Sequence, residues 1–205
     1  MIPDGTCILM PRSSLLTPNK GLKDRVIGAL VTRLDQPPAL VRRHLPSQLE
    51  HWAKLRILND GDTIHAAEMV KRTEDRRDQT FVRYETYIDI HADDPNKESE
   101  YELQTFYGRL EHIIAVHIDR AAAVKVLGLD KATMFILAAI RTCSVEDTRT
   151  NEQLDIHYYR EFGTLDVLNV TCIQCCVGRV PAGPQRWAIV DRSGSLARAL
   201  AVDDE

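Results

Sequence analysis

Three cysteines lie close together in the segment Cys172-Ile-Gln-Cys175-Cys176. A tetrahedral zinc site takes about four ligands, and its cysteines commonly come from paired C-x-x-C turns. Only one such pair exists here, and neither Cys7 nor Cys143 adds a second. If the segment is a strand, Cys175 faces away from Cys172 and Cys176, so the three thiols cannot bind one ion. We therefore predict buried structural thiols and no metal site, with metal or redox chemistry as the alternative.

The histidines and serines show no spacing typical of catalysis. His112 and His117 face opposite sides of a predicted strand, and no H-E-x-x-H motif occurs. The turn with Asp191 and Ser193 lacks the G-x-S-x-G frame of a serine nucleophile; it is typical of a strand end, where one of these side chains bonds to the backbone. Neither G-x-G-x-x-G nor G-x-x-x-x-G-K-[ST], the phosphate-binding glycine motifs, is present. We predict no catalytic residue and no cofactor.

Basic side chains remain as candidates, because they can bind phosphate groups. Residues 1–56 carry nine Lys or Arg against four Asp or Glu, a net charge of +5, whereas residues 57–205 carry −9. The stretch 71–85 is also basic, and its aromatic residues could stack on bases. The alternatives are a solvated helix face for the first region and an intramolecular ion-pair network for the second. The residues that we predict to bind nucleic acid are Arg42, Arg43, Lys71, Arg72, Arg76 and Arg77.

The elements that would position these residues fall into three segments. Residues 1–20, rich in Pro and Ser, predict a flexible leader, residues 21–58 a basic helical segment, and residues 59–205 a β-rich domain. Short strands at this spacing favour a small barrel or sandwich over βαβ units. The predicted fold class is therefore α+β, with short N-terminal helices followed by a mostly antiparallel small β-barrel or sandwich.

Helical periodicity begins at Gly21 and ends before Pro37. Pro37 and Pro38 stop that helix and open a second one, since proline suits the first turn of a helix. Ser47, three residues before Glu50, predicts the N-cap of a third helix over residues 47–58.

Further along the chain, the turn signal at residues 59–62 is followed by strand patterns. Residues 101–118 predict one long strand or two strands joined at Gly108, a bulge or bend. Residues 165–180 are apolar on both faces and predict a central strand. The other predicted strands are residues 80–91, 134–143 (with a short helix as the alternative), 154–159 and 186–193.

The chain shows no transmembrane run and no secretory signal, and its five cysteines are an odd number. We therefore expect an intracellular protein, nuclear or cytoplasmic, that has no membrane contact.

The order of these segments resembles the C-terminal region of CACTA-type (En/Spm-like) transposases of basidiomycete fungi. The resemblance covers residues 47–200 and includes the landmarks FYGRLEHI (106–113), CIQC (172–175), VGR (177–179) and RWAIVDRSG (186–194).

In that family the catalytic RNase-H-like domain lies upstream of the matched region, so no catalytic residue is carried over. The resemblance implies a non-catalytic accessory module, or the remnant of one, that binds DNA, chromatin or other transposase segments. The alternatives are a protein-interaction domain without nucleic-acid contact, a non-functional transposon fragment and, last, an enzyme.

Overall fold

A mostly antiparallel sheet, curled into a half-barrel, forms most of the protein, and few residues lie in helices. The computed structural model describes residues 7–58, 61–70, 78–94, 96–146 and 156–191. Within these ranges the strands are β1 (Cys7–Leu16), β2 (Leu49–Ile57), β3 (Thr63–His65), β4 (Phe81–Asp89), β5 (Tyr101–Ile118), β6 (Thr133–Val145), β7 (Ile156–Asn169), β8 (Ile173–Cys176), β9 (Gly178–Pro181) and β10 (Trp187–Val190). The helices are α1 (Lys20–Leu34), α2 (Pro38–His44) and α3 (Ala121–Val126), and a 3-10 turn covers Val170–Cys172. None of these helices is long and apolar enough to span a bilayer.

The strands are hydrogen-bonded in the order β1-β2-β5-β6-β7-β10-β9, with β3 beside β2 and β4 beside both β5 and β8. This order confirms the prediction of mostly antiparallel strands. The α+β description with leading helices fits only loosely, because β1 precedes the helices and all three predicted segments contribute strands to one sheet. The division into units at residues 20 and 58 stays a prediction.

The first two predicted helices are present as α1 and α2. The Asn19 side chain caps α1 by accepting a hydrogen bond from the backbone N–H of Leu22 at 2.9 Å. Leu22, Val26 and Leu30 form the buried stripe that the helical spacing predicts. Helix α2 begins at Pro38, where the missing N–H costs no intrahelical hydrogen bond.

Two predictions near the N-terminus are wrong. The predicted flexible leader contains β1, which pairs with β2 from Cys7 to Leu16. The predicted helix over residues 47–58 is strand β2. The spacing of Leu49 and Trp52 is helical, but burial in β2 alternates: Leu49 and Leu55 lie on the buried face and Trp52 on the half-buried one. Pairing with β1, β3 and β5 then outweighs local helix propensity.

Strand β5 confirms the long predicted strand, but its bulge is not at Gly108. The bulge is at Glu111, because Leu110 pairs with Ile140 and His112 with the very next residue of β6, Ala139. Gly108 instead allows a close approach of two strands. A Cβ atom there would lie 2.5 Å from Ile140 Cγ2 and 2.7 Å from the backbone oxygen of Arg141.

The predicted central strand over residues 165–180 is wrong as one element. Strand β7 ends at Asn169, whose side chain accepts a hydrogen bond from the backbone N–H of Thr171 at 3.0 Å. This cap begins the 3-10 turn, which separates β7 from β8. Strand β8 then pairs with β4 and β9 pairs with β10, so these two are separate short strands. The other predicted strands correspond to β4, β6, the start of β7 and β10.

Strand β6 carries the apolar packing of the sheet, because residues 135–140 are all buried. The odd-numbered residues of this run belong to the cluster that contains residues of α1, α2 and α3. The even-numbered residues belong to a second cluster, which includes residues of β4 and β8. Both faces of β6 are thus covered, which explains its uninterrupted apolar sequence.

We expect Gly108→Ala to lower the free energy of unfolding by about 2 kcal/mol, since the added methyl group must displace backbone atoms of β6. Gly163→Ala is the matched control, because its Cβ would lie 3.4 Å from the nearest atom, in ordinary contact. Urea unfolding of the two variants measures the difference, and equal stabilities would contradict the close approach.

Candidate functional site

Helices α1 and α2 bury their apolar residues against the sheet and direct their charged residues outward. Residues 20–44 contain six Lys or Arg and two Asp, a net charge of +4. Most of this charge lies on α2 and on the neighbouring flank of α1. We call this region the α2 surface; it consists of Lys20, Lys23, Asp24, Arg42 and Arg43.

One ion pair crosses the α2 surface. Arg42 Nη2 donates a hydrogen bond to Asp24 Oδ1 at 2.9 Å, and both side chains are more than a third exposed (54% and 39%). An exposed pair of this kind contributes little to stability, but it offsets part of the charge of Arg42. Arg43 is exposed and, among the described residues, has no carboxylate partner. It is therefore the freer of the two guanidinium groups.

Arg43 also lines a cleft of about 680 Å³ between the end of α2, β1 and the end of β5. Arg120 adds a second guanidinium group to its lining, and Glu50 and Asp119 add two carboxylates. His117 Nε2 lies 2.8 Å from Glu50 Oε2. Arg43 belongs to both regions, and the α2 surface and the cleft taken together carry five Lys or Arg and three Asp or Glu, a net charge of +2.

The structure brings two of the six predicted nucleic-acid-binding residues together, Arg42 and Arg43, on one turn of α2. The other four lie outside the described residues; they are Lys71, Arg72, Arg76 and Arg77.

A polar cluster that the sequence analysis missed surrounds the bulge of β5. Glu111 is buried and accepts hydrogen bonds from Arg141 Nε at 2.8 Å and from Arg109 Nη2 at 3.0 Å. Burial opposes ionisation, but these hydrogen bonds lower the pKa of Glu111. The signal in the sequence is Glu111, an acidic residue inside the mostly apolar second half of β5.

Two histidines lie next to that bulge. His112 Nδ1 is 3.2 Å from His51 Nε2, and His51 is 5% exposed. Burial, together with the neighbouring His112, lowers the pKa of His51 to about 4. His51 is therefore neutral at neutral pH, and one imidazole of the pair must donate the hydrogen bond to the other.

A second polar cluster holds Asp191, whose side chain is buried. Asp191 Oδ2 accepts hydrogen bonds from Arg83 Nη1 and from the Tyr107 hydroxyl, both at 3.2 Å. The Tyr107 oxygen lies 3.0 Å from His157 Nε2. Arg83, Tyr107 and His157 line a cavity of about 580 Å³ together with Cys143. The prediction of a turn placed Asp191 at a strand end, and its contacts with two side chains 84 and 108 residues away were not predictable from the local sequence.

All five cysteines lie in the described ranges, and they form no disulfide bonds with one another. Cys172 lies in the 3-10 turn, and Cys175 and Cys176 lie in β8. Burial raises the pKa of both Cys143 and Cys172, which disfavours the reactive thiolate. In the described ranges, no three His, Cys, Asp or Glu side chains are placed to hold a metal ion.

Comparison with known proteins gives no relative: no protein-family model, no curated protein and no solved structure matches this chain.

We predict that acidification destabilises the protein because His51 is buried in its neutral form. In the unfolded chain the pKa of this histidine is 6.5, so between pH 6.5 and about 4 the unfolded state binds a proton that the folded state does not. The contribution is fully present above about pH 6.5 and is lost as the pH falls. By about pH 5 the loss should be roughly 2 kcal/mol.

Urea unfolding at about pH 7 and about pH 5 measures this loss, and His51→Leu is the test variant. Its loss of stability between the two pH values should be smaller than that of the natural protein by about 2 kcal/mol. An unchanged loss would assign the acid sensitivity to other groups.

Proposed function

We propose that the protein is a non-catalytic accessory module that binds the phosphate backbone of DNA through the α2 surface. This is the role that the resemblance to the C-terminal region of CACTA-type transposases implies. The single observation that supports it is the charge of the α2 surface, which has four basic side chains and one carboxylate.

Four basic side chains at a helical surface can each meet a phosphate group, and such contacts do not read base sequence. The net charge of the whole chain is −4, so general attraction of the protein to DNA is unfavourable. Binding must therefore be local, oriented by the helices and strongly dependent on salt.

Protein interaction without nucleic-acid contact is the second candidate. It is favoured by three large side chains that lie exposed on the hairpin of β4 and β5: Tyr87, Tyr101 and Leu103. Tyr87 and Leu103 are directly opposite each other in the ladder, so they form one apolar patch. Self-association through this patch would appear as a dimer in size-exclusion chromatography with light scattering, and Tyr87→Ser should abolish it.

We expect the full chain to bind a fluorescently labelled mixed-sequence DNA duplex of about 20 base pairs, with affinity falling steeply between about 50 and 200 mM salt. Arg43→Gln should weaken binding and reduce the slope of log affinity against log salt by about one. Asp24→Asn should strengthen binding, because it releases Arg42 from its ion pair. Fluorescence anisotropy gives both quantities.

Arg160→Gln is the matched control, because it makes the same charge change at an exposed arginine of β7, outside the α2 surface. It should leave the salt slope unchanged. Equal effects of Arg43→Gln and Arg160→Gln, or the absence of binding at low salt, would contradict the proposal.

A further inference from the structure

The hairpin of β4 and β5 extends beyond the strands that flank it. The two strands pair with each other along the whole of Phe81–Asp89. Strand β8 pairs with β4 only between Val82 and Tyr84, and β6 pairs with β5 only from Gly108 onward. We call residues 85–104 the acidic hairpin. Within the described residues its two strands pair only with each other, and five of its large apolar side chains are exposed: Tyr87, Ile88, Ile90, Tyr101 and Leu103.

The acidic hairpin carries a strong negative charge. Its sequence contains seven Asp or Glu and one lysine, Lys97, which gives a net charge of −6. Its one histidine, His91, already has a carboxylate beside it, because its Nε2 lies 3.4 Å from Glu100 Oε2. Arg83, the nearest arginine along β4, donates a hydrogen bond to the buried Asp191 at 3.2 Å. The charge that remains for a partner to neutralise is therefore negative, and a phosphate backbone would be repelled.

One face of the hairpin places tyrosine rings beside carboxylates. Glu85, Tyr87 and Asp89 share this face, because side chains alternate along β4. In the ladder, Leu103 lies opposite Tyr87 and Tyr101 lies opposite Asp89. We call these five residues the tyrosine face. Its two rings are 66% and 65% exposed, and diagonal neighbours on a sheet lie about 7–8 Å apart, so one cation can contact both rings.

The carboxylate of Asp89 is held in place on this face. Its Oδ1 accepts hydrogen bonds from the backbone N–H of His91 at 2.9 Å and of Glu100 at 3.1 Å. The hydrogen bond from His91 is the main cause of a lowered pKa of Asp89. The carboxylate is therefore ionised at neutral pH, and its negative charge stays opposite Tyr101.

The sheet already contains a filled version of this arrangement. The guanidinium carbon of Arg186 lies 4.1 Å from the centroid of the Tyr158 ring, and its Nη2 donates a hydrogen bond to Glu146 Oε2 at 2.6 Å. Tyr158 and Glu146 are cross-strand neighbours, since the Glu146 N–H bonds to the Tyr158 carbonyl at 2.7 Å. Asp89 and Tyr101 are cross-strand neighbours too, but within the described residues neither has an arginine or lysine partner.

Two arginines of α1 lie near the other edge of the hairpin. Arg25 and Arg33 line a groove of about 700 Å³ between β4 and the end of β7, which is the open seam of the half-barrel. Neither Asp89 nor Tyr101 lines this groove. The positive charge of α1 therefore favours the far end of the tyrosine face, at Asp89 and Tyr101, as the position for a cation.

We propose that the acidic hairpin binds an extended, arginine-bearing segment of a partner protein. One guanidinium group lies over the Tyr101 ring and pairs with Asp89, as Arg186 does with Tyr158 and Glu146. Arginine suits this position because its planar group stacks on a ring while it donates hydrogen bonds in its own plane. The aliphatic part of its side chain packs on Leu103.

This inference rests on the second candidate function, protein interaction, and names the chemistry of the partner. It does not depend on DNA binding by the α2 surface. A second copy that docked through the same hairpin would bring a second charge of −6 to the contact, which opposes self-association there.

The test uses a fluorescently labelled peptide with three Gly-Ser-Arg repeats, titrated with the full chain by fluorescence anisotropy in about 50 mM salt. A peptide with citrulline in place of arginine has nearly the same shape without the charge, and it should bind at least tenfold more weakly. A peptide with lysine in place of arginine keeps the charge and should bind about threefold more weakly, because an ammonium group does not stack.

Variants of the tyrosine face test the position of the guanidinium group. Tyr101→Leu should weaken binding of the arginine peptide about threefold or more, whereas Tyr101→Phe keeps the ring and should change it less than about twofold. Asp89→Asn should weaken binding at least threefold, and its side-chain oxygen can still accept the backbone hydrogen bonds. Glu161→Gln is the matched control, because it removes the charge of an exposed carboxylate on β7 and should change nothing.

No binding at about 1 mM arginine peptide would overturn the inference, as would equal binding of the citrulline peptide, equal effects of Asp89→Asn and Glu161→Gln, or full binding by Tyr101→Leu. A dimer in light scattering that Tyr101→Leu abolishes would assign the hairpin to a second copy and would also overturn it. Arg43→Gln should weaken DNA binding and leave peptide binding unchanged, so failure of the DNA proposal is distinguishable from failure of this one.

Discussion

The long antiparallel pairing of β5 with β6 is the constraint on which the rest of the structure depends. The paired residues of β5 run from Gly108 to Ile118. Residues 135–140 of the partner strand β6 are all buried, so other elements must pack against each of its two faces. Residues of the three helices pack against one face of β6, and residues of β4 and β8 pack against the other. Because β5 extends beyond this pairing, its free end can carry β4 as a projecting hairpin. The half-barrel and its open seam both follow from this mismatch in length.

Polar groups in the sheet are placed where the ladder is irregular. Glu111 is the extra residue of the bulge, and two arginines neutralise its carboxylate inside the sheet. Asp191 follows the last described strand and accepts hydrogen bonds from β4 and β5. A buried carboxylate that lost these donors would keep its desolvation cost, so both clusters fix the relative positions of distant strands. This structural role accounts for the contacts of both clusters.

The charge of the protein is divided between surfaces that the fold separates. Residues 20–44, which contain α1 and α2, carry a net charge of +4, whereas the hairpin over residues 85–104 holds seven acidic residues and one lysine. The two flanks of α1 differ as well: one meets α2 at the ion pair of Asp24 and Arg42, and the other lines the seam.

The sequence alone determined the elements whose signals are local. The stripe of α1, proline at the start of α2 and the alternation in β4 depend on neighbouring residues, so propensity and period suffice. It also determined that Arg42 and Arg43 lie exposed on one helix. Tertiary structure decided that residues 7–16 and 49–57 are strands, because β1 and β2 pair with each other and β2 also pairs with β3 and β5. The clusters of Glu111 and Asp191 and the open seam join residues far apart in the chain, and only the packed sheet brings them together.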